Sequence, residues 1–284
     1  MNQIHYDLWN RCREFVTLAC AGRDASHGVE HAEKVTKQAI LLYLMGGGPH
    51  CTTRSPTEQR RNLLLCEIIL IGMLHDVGDH KYADEVHADR IDQQHEREAQ
   101  RLLALAGLDA PAVFDAETRA QLRSEGAAAC KAHLSAAIDA ISFSKENKKG
   151  MRWFAQALPE DWLEARDVVS DSDKLEAIGA EGLFRCYEYT CARYKKRYAE
   201  GDRAAGPAWA TQRELEACLV KDVADHYEEK LSLLSTRFIV TTTAKYFAEP
   251  LDKAMAELLE EWKAHGPPPV TLYWREAVHF IKTP

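Results

Sequence analysis

The chain has 284 residues, 46% of them apolar and 28% charged, an ordinary water-soluble composition with material for a substantial core. A formal charge of -8 excludes a general nucleic-acid binder, because affinity for a phosphate backbone needs clustered Lys and Arg; no stable nucleic-acid partner is expected. Eight cysteines without a C-x-x-C pair, and an N-terminus with no charged stretch leading into an apolar one, read as reduced thiols in a cytoplasmic protein.

Residues 4–20 place Ile4, Leu8, Phe15, Leu18 and Ala19 on one side and Arg11, Arg13 and Glu14 on the other, which predicts a packing helix. Asp24 or Ser26 then suits the N-cap of a second helix running to about Met45, with Val29, Ala32, Val35, Ala39 and Leu42 as its buried stripe. His31 lies close to that stripe and His27 one turn before it. Such a pair can share a ligand face, although a core histidine satisfied by a hydrogen bond is the commoner reading of an isolated case.

Residues 46–61 lack apolar periodicity and read as an inserted surface loop. Their Gly triplet is not followed by the Gly-Lys-Ser/Thr that a phosphate-binding loop requires. The run from Leu63 to Leu74 is interrupted by Glu67 and is far shorter than the roughly 20 residues that span a bilayer, so no membrane segment is expected. It predicts a buried helix delivering His75 and Asp76 to a cleft. Gly78 then turns the chain, so that Asp79, His80 and Lys81 face the same cleft.

Residues 84–106 are acidic and His-containing, the pattern of a solvated helix face rather than of a second metal site. A further helix covers 118–143 and leads into a loop whose Lys145, Lys148 and Lys149 are either solvated or in contact with phosphate. Asp171 and Asp173 enter a helix that starts at about 172, where they exceed what capping needs. The aromatics of 183–198 read as core, 199–210 as a loop, and 213–262 as clearly helical before Pro267-Pro268-Pro269 and a short tail, 266–284. No repeat or composition break divides the chain, so residues 1–284 are expected to form a single domain.

His31, the adjacent His75-Asp76 and a late aspartate, 171 or 173, make two imidazoles and two carboxylates. Mixed N and O donors suit one manganese, magnesium, iron, cobalt or nickel ion better than a structural zinc, which usually takes cysteines.

In that order, His, then His-Asp, then Asp, the chain resembles the HD-domain phosphohydrolases, most closely a bacterial-type branch of predicted nucleotide phosphohydrolases. The matching stretches are Ser26-His27 through His31, Leu74 to Tyr82, Ile141 to Lys145, Asp171 to Gly179 and His226 to Leu231, so the resemblance covers roughly residues 20–262. Lys174 stands where the family pattern has Arg, Glu176 where it has Asp, Ser144 displaces a lysine by one, and the loop at 46–61 is extra.

The resemblance implies an all-α HD-domain bundle around a central divalent metal, and the absence of any alternating strand pattern agrees. It implies His31, His75, Asp76 and Asp173 as ligands, with Asp171 in reserve. Asp79 would orient or deprotonate the attacking water and His80 protonate the leaving group, while Lys81, Lys145 and Lys174, with His27, would contact the substrate. The expected activity is hydrolysis of nucleotides, as a nucleoside triphosphate pyrophosphohydrolase or a nucleotidase. Hydrolysis of an alarmone or other phosphate ester, or ligand sensing without turnover, are the competing expectations. The partner implied is a small phosphorylated molecule, and a homodimer is an admissible assembly.

Overall fold

Every regular element among the described residues is helical, as the sequence pattern requires. The computed structural model describes residues 1–21, 23, 28–46, 58–78, 85–105, 116–199 and 212–267. In chain order the helices are α1 (Gln3–Ala19), α2 (Val29–Leu44), α3 (Glu58–Leu74), α4 (Glu85–Leu105), α5 (Ala116–Asp139), α6 (Phe143–Lys149), α7 (Glu160–Ala177), α8 (Gly179–Ala199), α9 (Gln212–His226) and α10 (Thr242–His265). Two wider π-helical turns, Tyr227–Leu231 and Leu234–Phe238, lie between α9 and α10. No helix among the described residues is long and apolar enough to cross a membrane. The described cysteines are free thiols, and burial pushes that of Cys66 up to about 12.

The chain forms two compact units, one of Met1–Asp173 with Val240–Ala244, the other of Lys174–Ile239 with Lys245–Pro284. In the first unit α3 is the central element and packs against α1, α2, α4 and α5. Its side chains from Leu64 to Leu74, apart from Gly72, are buried on every face, which explains why this stretch reads as an apolar run rather than as a stripe. The loop expected at 46–61 overlaps this helix, which begins at Glu58; residues 47–57 lie outside the described residues.

Other boundaries also differ from the sequence reading. The buried stripe of α1 is His5, Leu8, Cys12 and Val16, while Ile4 and Leu18 are exposed. A histidine and a cysteine hold half of that stripe, so apolar residues alone mark the wrong face. His5 completes a capping box with Asn2 and spends its other ring nitrogen on the carbonyl of Asn62 at 3.0 Å. Gly28 occupies the N-cap of α2 without a side-chain bond; Asp24 and Ser26 are outside the described residues.

The stretch after α5 is not simply a loop, because 143–149 closes into α6. Glu146 on α6 is fully buried against Arg166 of α7, at 2.7 Å, and Arg166 also bonds the carbonyl of Ala140 and the carboxylate of Asp167. That pairing anchors the short helix. Nor does a helix begin at 172: α7 runs unbroken from Glu160, with Ala165 through Ser172 buried.

In the second unit the aromatic reading holds in part. Phe184 and Tyr187 pack on Trp262 with ring centroids 5.1 and 5.3 Å apart, whereas Tyr189 is exposed. Gly179, at φ +83°, turns the chain between α7 and α8, and a Cβ there would meet Leu251 at 3.1 Å. The helical run expected over 213–262 is interrupted at Ile239–Thr241, where α10 has not yet begun.

Candidate metal centre

Three segments of the first unit supply the cluster. His31 comes from the buried face of α2, His75 and Asp76 from the turn that ends α3, and Asp173 from the C-terminal part of α7. His31 Nε2 lies 3.2 Å from His75 Nε2 and 3.5 Å from Asp76 Oδ2. Asp173 Oδ1 lies 3.4 Å from His31 Nε2 and 3.9 Å from His75 Nε2, and Asp76 Oδ1 is 3.7 Å from His75 Nε2. The imidazoles are buried, while the side chains of Asp76 and Asp173 are 27% and 34% exposed, so a nitrogen floor carries a carboxylate rim open to solvent.

Local chemistry fixes this arrangement. His75 Nδ1 is 2.7 Å from the carbonyl of Gly72, which can only accept, so Nδ1 carries the proton and Nε2 presents its lone pair to the cluster. α2 and α3 approach closely because position 72 has no side chain: a Cβ there would sit 2.5 Å from Thr36 Oγ1 and 3.1 Å from Thr36 Cα. Ser172, beside Asp173, donates to the carbonyl of Val35 at 2.8 Å and so joins α7 to α2 one turn beyond His31. Asp171 is wholly buried and accepts from the backbone N–H groups of Val240 and Thr241 at 3.0 and 2.7 Å.

The donors can be tested against an ion. Neighbouring atoms bonded to one divalent ion at about 2.1 Å stand roughly 3.0 to 3.4 Å apart. The five distances given above, 3.2 to 3.9 Å, are those of such a shell slightly opened. Two neutral imidazoles and two carboxylates also form a donor set whose charge a divalent cation neutralises. Among the described residues, His31, His75 and Asp76 form the group of potential ligands whose donor atoms all lie within 4.8 Å of one another; Asp173 approaches both imidazoles but is not a member of that group.

Of the remaining residues expected at the site, four are not described and two have partners of their own. His27, Asp79, His80 and Lys81 lie outside the described residues. Lys145 is ion-paired with Asp139, and Lys174 is buried and donates to the carbonyl of Phe238 at 3.1 Å. The acidic face of α4 is not solvated throughout. Glu98 is fully buried and receives Arg11, Arg101 and Gln94, and His95 is buried against Ser135 of α5, with burial lowering its pKa to about 4.

Sequence reasoning missed Ser172 and Arg23. The Arg23 guanidinium donates to the carbonyls of Asp76 and Val77, at 2.8 Å each. No spacing rule marks a residue that acts on backbone more than 50 positions away.

No family model matches this chain, and no curated protein does. Solved structures similar to it include a Lactobacillus plantarum protein, 22% identical over 93% of this chain and 97% of that one, with a TM-score of 0.48. Bacillus subtilis YpgQ, in complex with ADP, is 16% identical over 93% and 97%, with a TM-score of 0.49. An HD-superfamily hydrolase from Bacillus thuringiensis is 19% identical over 91% and 96%, with a TM-score of 0.48.

Proposed function

We propose that this chain is a divalent-metal-dependent phosphohydrolase that acts on nucleotides. The observation that carries the reading is the convergence of His31, His75, Asp76 and Asp173 from three segments, with the His75 lone pair turned inward. These four residues would hold the ion. When bound, such an ion supplies Lewis-acid activation of water and of a phosphoryl oxygen. The open carboxylate rim gives a phosphate group access, while the buried imidazoles keep solvent from the floor.

Asp79, three residues beyond Asp76, would orient or deprotonate the attacking water, and His80 would protonate the leaving group. Asp79→Asn is expected to keep the ion and lose turnover by a factor on the order of 10². Lys81 supplies a cation for the phosphate within the same stretch. The preference for nucleotides rests on the sequence resemblance.

The test is phosphate or pyrophosphate release from nucleoside tri-, di- and monophosphates, ADP included, with added Mn2+, and metal analysis of the same preparation. Turnover on at least one of them, abolished by His75→Ala together with the bound ion, is the expected result. Tight metal binding without turnover on any phosphorylated substrate would turn the assignment toward a ligand-sensing module.

A further inference from the structure

We infer that Arg23 is the positioning residue for Asp76, an inference that rests on the metal reading above. The turn after α3 carries carbonyls at and beyond the end of the helical ladder. Val77 N donates to the carbonyl of Leu74 at 3.2 Å, and His75 Nδ1 to that of Gly72 at 2.7 Å. Further along the turn, the carbonyls of Asp76 and Val77 are taken by Arg23, Nη1 to the first and Nη2 to the second, both at 2.8 Å. A planar fork spanning consecutive carbonyls fixes both the position and the rotation of the peptide between them, which a single ammonium cannot do.

The consequence falls on Asp76 rather than on His75. The His75 ring is buried and tied by Nδ1 to its own helix, so it needs no further support. The Asp76 carboxylate stands on the partly exposed rim, facing the two imidazoles, and its aim follows from the backbone that Arg23 grips on its C-terminal side. Arg23 also precedes the helix that bears His31, so the same contact ties the approach to one ligand to the turn bearing another. Outer partners of this kind typically change metal affinity by about 10- to 100-fold.

The test is Mn2+ titration of the full-length apo-protein by calorimetry for wild type, Arg23→Gln and Arg23→Lys, with the His75 Nδ1 proton followed by NMR. Both variants are expected to bind Mn2+ at least about tenfold more weakly than wild type, with the Nδ1 proton signal unchanged. Affinity within about twofold of wild type in both variants overturns the inference, as does loss of the Nδ1 signal, which would mean that the whole turn has collapsed. If Arg23→Gln does not fold, Arg23→Lys decides by the same criteria. Wild type that binds no Mn2+ overturns the metal reading and this inference with it, whereas normal wild-type binding with unaffected variants overturns this inference alone.

Discussion

Asp171 and Asp173 stand two residues apart on one helix and face different partners, because that separation rotates a side chain by about 200°. The Asp171 carboxylate is buried and receives two backbone N–H groups just ahead of α10; Asp173 Oδ1 faces both imidazoles. Asp171→Ala strands those amides and is expected to cost about 1–3 kcal/mol of stability while the ion still binds. Asp173→Ala is expected to lose ion and activity together. Denaturant melts and metal titration of both variants check this, and ion loss confined to the Asp171 variant would reverse the assignment. The residues by themselves left the two aspartates open, and only the resemblance favoured Asp173. What separates them is a partner 69 positions downstream, which no local pattern reveals.

At the scale of elements, the legible features were those carried by long apolar runs. α3 could be read because almost every side chain of its second half is buried, and α2 because Ala32, Val35, Ala39 and Leu42 recur at helical spacing. The start of α7 was misread because aspartates such as Asp171 look like caps, whereas Asp171 bonds the backbone ahead of α10 and Ser172 beside it the backbone of α2. Gly72 tests whether helix spacing sets the site: Gly72→Ala must force α2 and α3 apart at Thr36, and should cost about 1–3 kcal/mol and weaken Mn2+ binding. Unchanged affinity would separate helix spacing from ligand geometry. α4 offers a pH test. His95 is held neutral by burial, its pKa lowered to about 4 from an ordinary 6.5, so the unfolded chain takes up the proton first as pH falls. Its contribution is complete above about pH 6.5 and lost on descent through about pH 4. Replacing His95 with Leu should flatten the fall in melting temperature across that window; an unaltered profile would place the titration elsewhere.

At the scale of the whole molecule, no composition break marks the division into two units, because α7 carries the chain through it at residues 173 and 174. All four proposed ligands belong to the first unit, and two of them, His31 and His75, are 44 positions apart. An ion that bridges such distant segments binds the folded chain and finds no assembled site in the unfolded one, so binding free energy becomes folding free energy. At a free Mn2+ concentration a hundred times the Kd, the gain is about 2.7 kcal/mol. For a chain of this size, each kcal/mol moves the melting temperature by roughly 2–4 °C, so Mn2+ should raise it by roughly 5–10 °C, reversibly with chelator. Hydrogen exchange locates the effect: added protection is expected first in α2, α3 and α7, which carry or immediately precede the ligands. His75→Ala and Asp173→Ala should abolish both the thermal shift and the added protection. A shift of equal size in either variant would mean that the stabilising ion sits somewhere other than this cluster.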